Sequence, residues 1–308
     1  MNIKIKKIYN YFQKKIETLS DLCKINKDWI KKAILEKTGV NKKRISKPNE
    51  TIQDLIKGLK KKYKNINELH KCGLMILVTQ TPHSTIPSNI HLFQKIFKIK
   101  HSTIAFDLNQ GCSGYLYALA TADSLMQKFK TKSAAIITCD TYSKFISKNN
   151  RSCRTVFGDA LTLTIIEKTD KKHFIDYTLG SDCSGFDNFK LESNEIKMNG
   201  SEMYNFARQS VPLEVEKILK KTKLKKENVK FFIFHQASKL ILETLQKSIG
   251  IPEEKLFVNI SEIGNTTSSS IPLAIQSLMI KKKLKKNDIL LLSGFGVGYS
   301  WGTCLYKN

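Results

Sequence analysis

The richest chemistry in the sequence is concentrated in Asp107-Leu108-Asn109-Gln110-Gly111-Cys112-Ser113-Gly114. A strand-like run ends there, a glycine permits a sharp turn, and a cysteine stands where a helix begins. Such a turn exposes sulfur on a tight elbow and aims the unpaired N–H groups of the first helical turn at it. The positive helix end adds to their pull. Both effects are expected to favour thiolate, the nucleophilic form, over thiol. A buried structural cysteine would suit the same place.

Three further turns hold residues of matching use. In Phe234-His235-Gln236-Ala237 an imidazole leaves the carboxyl end of a strand, where open α/β sheets place their ligands. In Gly264-Asn265-Thr266-Thr267 the Asn265 amide can donate an uncharged hydrogen bond to an oxyanion, although helix caps use the same residue types. In Gly294-Phe295-Gly296-Val297-Gly298-Tyr299-Ser300-Trp301-Gly302 the glycines allow backbone N–H groups close to a ligand. A bulge or hairpin explains them equally well, and with no helix following, a dinucleotide site is disfavoured. The other histidines, His70, His83, His91, His101 and His173, have no comparable setting. Each signal is modest alone. Their strength is that all four turns sit at strand ends of two related halves.

The elements that must position them repeat. In the first half the order is strand Gly73–Gln80, helix Ser88–Phe97, strand Thr103–Leu108, helix Ser113 to about Lys128, and strand Ser133–Cys139. The second half has strand Val229–His235, helix Ala237–Ile249, strand Leu256–Ile260, helix Ser268–Leu284 and strand Asp288–Ser293, offset by about 155 residues. Continuously apolar strands with helical crossovers imply sheets buried on both faces. Two such units, residues 1–165 and 166–308, predict an α/β protein of five layers, α/β/α/β/α.

Composition narrows the function classes. Apolar residues make up 41% of 308, enough for a large core. No run approaches the roughly 18 apolar residues of a membrane span, and the lysine-rich N-terminus does not resemble a signal peptide. A cytoplasmic location is expected. Seven cysteines at irregular spacing, with no Cys-x-x-Cys pair, argue against a disulfide framework or a metal site. Net charge is +25, yet only four of the 52 basic residues are arginines. Direct nucleic-acid readout favours arginine, so a solvated lysine surface or an acidic partner fits better than nucleic acid.

The Gly111-Cys112-Ser113-Gly114 elbow, the His235-Gln236-Ala237 and Gly264-Asn265-Thr266 turns and the closing glycine run together resemble the β-ketoacyl-acyl-carrier-protein synthase III family. Lys37-Thr38-Gly39-Val40, Thr81-Pro82, Phe157-Gly158-Asp159 and Met198-Asn199-Gly200 match in order. The resemblance implies a thiolase-like fold and a homodimer. It implies an acyl-cysteine intermediate on Cys112, made from an acyl-CoA or acyl-carrier-protein primer. Decarboxylating condensation with malonyl-carrier protein would follow, in fatty-acid or specialised acyl-chain biosynthesis. The backbone N–H groups of Cys112 and Val297 would form the oxyanion hole, His235 and Asn265 would hold the malonyl thioester carbonyl, and an acidic carrier protein would dock. Coenzyme A is implied as substrate, with no permanently bound cofactor and no metal. Trp29, Lys37 and Arg151 fall at the coenzyme A positions, with Trp29 and Arg151 sandwiching adenine.

The chain also departs from the family. Eight residues separate Trp29 from Thr38, more than the family has. Gln110-Gly111 replaces a pair of alanines, and Ser238-Lys239-Leu240 replaces Asn-Leu-Arg. These departures suggest a specialised paralogue. Two other readings remain: transfer of the acyl group to an amine or hydroxyl without decarboxylation, and a non-catalytic lysine-rich nucleic-acid binder.

Overall fold

The computed structural model describes residues 2–99 and 102–308. Two mixed sheets dominate. The first has five strands in the order β1 (Asn2–Tyr11), β7 (Ala160–Thr169), β6 (Ser133–Asp140), β4 (Leu74–Val78) and β5 (Ile104–Leu108). Strand β4 runs parallel to both β5 and β6, with Leu74 opposite Ile104 and Ala134, while β7 pairs antiparallel with β6 and β1. The second sheet has four strands in the order β11 (Val229–Phe234), β12 (Ile289–Gly296), β13 (Ser300–Lys307) and β8 (Phe174–Ser181). Only β11 and β12 are parallel, with Phe232 opposite Leu291.

The strands are apolar on both faces because both faces are covered. Along β4, Leu74, Ile76 and Val78 face inward to a core shared by the two sheets. Alternate residues Met75 and Leu77 face outward. The inner layer is filled by α5 (Gly114–Lys128) and α10 (Ser270–Ile280), which supply Tyr115, Leu119, Ala274 and Leu278 to that core. Helices α3 (Ile52–Lys62) and α4 (Asn89–Phe97) cover the first sheet's outer face. Helices α7 (Gly200–Thr222) and α8 (Lys239–Ile249) cover the second. The result is the expected α/β/α/β/α stack of the thiolase-like fold.

Smaller elements rim the stack: α1 (Leu19–Ile25), α2 (Lys31–Thr38), α6 (Arg151–Arg154), α9 (Ile260–Ile263), and the ribbons β2 (Ile16–Thr18) with β3 (Lys42–Arg44) and β9 (Phe189–Glu192) with β10 (Glu195–Met198). No described helix is long and apolar enough to cross a membrane.

Two expectations need correction. Leu256–Ile260 is no strand of the sheet. It makes one isolated bridge, Leu256 to Phe232. The Phe257 N–H donates to the Phe232 carbonyl, and the Gln236 side chain takes up the Phe257 carbonyl and the Asn259 N–H. A side chain thus satisfies backbone groups that a ladder would otherwise pair. The division at residue 165 falls inside β7; the chain passes between the sheets at 170–173.

Candidate active site

Strand β5 ends at Leu108, and Gly111–Ser113 form one 3₁₀ turn that leads into α5. The first residue of that turn, Gly111, has φ +46°, a conformation open to glycine without penalty. Cys112 follows, with the carboxyl end of β12 packed directly against it. A Cβ on Gly294 would lie 2.8 Å from the Cys112 carbonyl oxygen, and one on Gly296 would lie 3.1 Å from Cys112 Sγ. The closing glycines therefore serve first to let the strand reach the nucleophile turn. Ser113 Oγ and Ser300 Oγ tie the turn to the start of β13 at 2.8 Å, and Ser300 Oγ donates to the Val297 carbonyl at 2.8 Å.

Cys112 is buried, and burial pushes its thiol up to about 12. The Asp140 carboxylate adds to that rise, while hydrogen bonds from the backbone N–H groups of Cys112 and Val297 oppose it. This corrects the expectation of a resting thiolate. The helix-end donors act in the expected direction, but desolvation of a charge in a dry site outweighs them.

His235 follows β11. Its N–H donates to the Ser293 carbonyl at 2.7 Å, and its Nδ1 lies 2.8 Å from Ser270 Oγ, at the start of α10. The ring meets Phe295 edge-on at 5.8 Å. Burial lowers its pKa to about 3, against a weaker opposing hydrogen bond to the Thr267 backbone. The imidazole is therefore neutral at neutral pH.

Asn265 is fixed at both ends of its amide. Oδ1 accepts from the Thr267 N–H at 2.9 Å, and Nδ2 donates to the Ala237 carbonyl at 3.4 Å. Its backbone bridges to Phe157 beside Val156 and Gly158. Gly264 at φ +70° precedes it, where a Cβ would come within 2.7 Å of the Val156 carbonyl.

Cys112, His235, Asn265 and Val297 line one cavity of about 730 Å³. Exposed Lys37 and Arg151 also line it. Trp29 does not. It is 7% exposed and packs with Leu19, Leu22 and Ile34 between α1 and α2, while its neighbours Asp28 and Ile30 face the cavity. The longer segment after it folds as α2 over the ring, so Trp29 cannot stack on adenine as expected. His70, His83, His91 and His173 are not in the lining, and His101 lies outside the described residues. No group of three or more His, Cys, Asp or Glu able to hold a metal occurs among the described residues.

One residue central to this geometry was missed in the sequence. Asp140, at the end of β6, is fully buried. It accepts hydrogen bonds from the Gln80 N–H at 2.8 Å, Thr81 Oγ1 at 3.2 Å, Thr267 Oγ1 at 2.8 Å and Ser268 Oγ at 3.0 Å. It thereby joins the end of β4 to the turn after Asn265. The visible signal was an acid closing the otherwise apolar run Ser133–Cys139.

Comparison with known proteins agrees with this geometry. The family model of the 3-oxoacyl-[acyl-carrier-protein] synthase III C terminal matches residues 219–308, and that of 3-oxoacyl-[acyl-carrier-protein] synthase III matches 106–183. The β-ketoacyl-[acyl-carrier-protein] synthase III of Prochlorococcus marinus (strain MIT 9215) is 32% identical over 94% of this chain and 91% of its own. The chain belongs to the 3-oxoacyl-[acyl-carrier-protein] synthase III family. The Clostridium tetani synthase III is likewise 32% identical, over 94% of this chain and 92% of its own. A solved 3-oxoacyl-(acyl-carrier-protein) synthase III superposes with TM-score 0.94 at 30% identity over the full length of both chains. The synthase III of Aquifex aeolicus VF5 gives 0.91 at 30%, again over both full lengths. Membership makes the chain an acyltransferase of the condensing type, and it selects this reading over amine or hydroxyl transfer and over nucleic-acid binding.

Proposed function

We propose that the chain condenses an acyl primer with malonyl-acyl carrier protein through an acyl-Cys112 intermediate. The observation that carries this is the convergence of the Cys112 thiol, the neutral His235 imidazole and the anchored Asn265 amide on one cavity. The backbone donors of Cys112 and Val297 lie beside the sulfur.

In the first half-reaction, Cys112 sulfur attacks the thioester carbonyl of the primer. The N–H groups of Cys112 and Val297 hold the developing oxyanion, and losing one such donor typically costs ~100–1,000-fold in rate. The C–S bond to the primer's carrier breaks, and the proton from Cys112 ends on the leaving thiol. The step needs no net acid or base, so the protonated resting thiol is no obstacle to its balance.

In the second half-reaction, malonyl thioester loses carbon dioxide and leaves an enolate. His235 and Asn265 hydrogen-bond its oxygen. A ring that stays neutral cannot quench the carbanion as an acid would. The carbanion attacks the acyl-Cys112 carbonyl, the C–S bond to Cys112 breaks, the β-ketoacyl product departs, and the Cys112 thiolate takes a proton from water.

Exposed Lys37 and Arg151 at the cavity support contact with the anionic groups of coenzyme A or of a carrier-protein arm. The net charge of +25 supports an acidic carrier protein as partner. A homodimer is supported by β5, an edge strand whose five residues are all half-buried and include Ile104, Phe106 and Leu108. The equivalent placement of the turns that begin α5 and α10 supports descent from two fused copies of one unit. Cytoplasmic location would keep the free cysteines reduced.

The test is half-reaction analysis by intact mass and product assay. Cys112→Ala is expected to form no acyl adduct with any acyl thioester. His235→Ala and Asn265→Ala are expected to acylate yet lose condensation by at least about 100-fold. Normal β-ketoacyl product from either would refute its role.

A further inference from the structure

The ribbon of β2 and β3 belongs to neither main sheet, yet it carries two deeply buried charges. Glu17 is 8% exposed and Lys43 2%, and the two are cross-strand partners. Glu17 Oε2 lies 3.0 Å from Lys43 Nζ. Its other oxygen, Oε1, accepts from Arg154 Nη2 at 2.6 Å. Arg154, at the end of α6, is also buried, and its Nη1 donates to the carbonyls of Ser143 at 2.8 Å and Ile146 at 3.2 Å. Burial opposes ionisation of the Glu17 carboxyl, but Arg154 and Lys43 outweigh it and hold its pKa below the usual range.

None of these three side chains lines the active-site cavity, but each cation leads to residues that do. The Lys43 stem packs on the two glycines beside the Phe157–Asn265 bridge. A Cβ on Gly158 or on Gly264 would lie 3.2 Å from Lys43 Cβ. There the Asn265 N–H donates to the Val156 carbonyl and the Gly158 N–H to the Asn265 carbonyl, both at 2.9 Å. Arg154 stands in the same short segment as Arg151, Thr155, Val156 and Phe157, all of which face the cavity. The Glu17 carboxylate is thus the joint between the Asn265 turn and residues 151–157. A buried ion triad gains little net stability over apolar side chains of the same volume, while removing one member strands the others. What it enforces is an arrangement, because the carboxylate meets both cations in a single register of ribbon, turn and helix.

We propose that Glu17 is a positioning residue for condensation, holding the Asn265 turn through Lys43 and the cavity wall at residues 151–157 through Arg154. The inference rests on the condensing role given to Asn265 above. The triad touches no reacting atom. It acts on where the Asn265 amide stands, and a misplacement of about 1 Å can cost on the order of 100-fold in rate. The Cys112 turn is packed against β12 and β13 instead, so acylation does not depend on the triad.

The two half-reactions, measured apart on the full chain, test this. Acetyl- or butyryl-pantetheine acylates Cys112 without presenting the charged groups that Arg151 would meet, and intact mass follows the adduct. The preformed acyl-enzyme then receives malonyl-acyl carrier protein, and β-ketoacyl product is measured. Glu17→Leu combined with Lys43→Met and Arg154→Met removes the triad and strands no charge. Acylation is expected to stay within about twofold of wild type, and condensation to fall by roughly tenfold or more. Glu17→Asp keeps every charge and shortens the link by one methylene. It is expected to lower the ratio of condensation to acylation by about threefold, and it decides the matter if the triple replacement does not fold. Lowered thermal stability with an unchanged ratio in the folded variants overturns the inference, since a merely structural strut gives that result. An equal fall in both half-reactions overturns it too. In either case a wild type that condenses leaves the proposed function standing; a wild type that gives no β-ketoacyl product overturns both.

Discussion

The turns that begin α5 and α10 share a backbone and differ in purpose. Each is a three-residue 3₁₀ turn, Gly111–Ser113 in one and Thr267–Ser269 in the other, leading directly into a central helix. Each opens on a residue with positive φ, +46° at Gly111 and +50° at Thr267. The side chains separate them. In the first turn Cys112 has only backbone donors beside its sulfur and faces a cavity. In the second, Thr267 and Ser268 donate to Asp140, and Ser269 lies 2.7 Å from Thr138 Oγ1. The difference teaches that the elbow alone does not make a nucleophile. The reactive copy leaves its middle side chain without a side-chain partner, whereas the structural copy satisfies every one.

Exchanging the losses gives the largest effect. Cys112→Ala is expected to abolish acylation while changing stability by about 1 kcal/mol or less, since one sulfur beside a cavity is removed. Ser268→Ala, at the corresponding place, is expected to retain acylation and lose about 2 kcal/mol, the worth of a hydrogen bond to a buried carboxylate. Urea unfolding and acyl-adduct mass read the two quantities separately. Loss of acylation in Ser268→Ala at unchanged stability would break the contrast.

Asp140 is the feature that makes the second turn structural. Asp140→Asn sets an amide NH₂ among N–H and O–H donors that all point at one carboxylate. A loss of roughly 3 kcal/mol is expected. Acylation is expected to slow as well, because the same residue accepts from the Gln80 N–H, and the Gln80 side chain lies against Gly111 of the nucleophile turn. A variant as stable as the wild type would show that the turn is held by packing and not by Asp140.

This contrast also marks what the sequence disclosed. Apolar runs with crossovers revealed the parallel strands β4, β5, β6, β11 and β12 and the four site turns, since periodicity and glycine placement are local properties. The antiparallel strands β1, β7, β8 and β13 were not identified, although they complete both sheets. Of these, β7 and β13 are almost wholly buried, yet no repeat or motif singles them out. Leu256–Ile260 misled because a strand-like composition carries no information about Gln236, whose side chain takes the place of a ladder. Trp29 misled because motif position says nothing about which way a ring turns when a helix is lengthened beside it. The resting state of Cys112 was misjudged for a related reason. The helix end is legible, while the burial that overrides it depends on β12 arriving from the far end of the chain.

Thr267 offers the finest test of the comparison. A β-branched residue at φ +50° carries strain of roughly 1–2 kcal/mol that Gly111 avoids. The Oγ1 bond to Asp140 offsets it. Thr267→Ala removes the bond and keeps most of the strain, so a loss of about 2–3 kcal/mol is expected. Thr267→Gly removes both, and its N–H to Asn265 Oδ1 survives; the expected loss falls to about 1 kcal/mol. The ordering, glycine milder than alanine, distinguishes a strained turn held by its hydrogen bond from a relaxed one. Were alanine and glycine to destabilise equally, the positive φ at Thr267 would carry no strain, and the need for a glycine at position 111 would rest on Gln80 alone, whose Oε1 a Cβ there would approach to 2.4 Å.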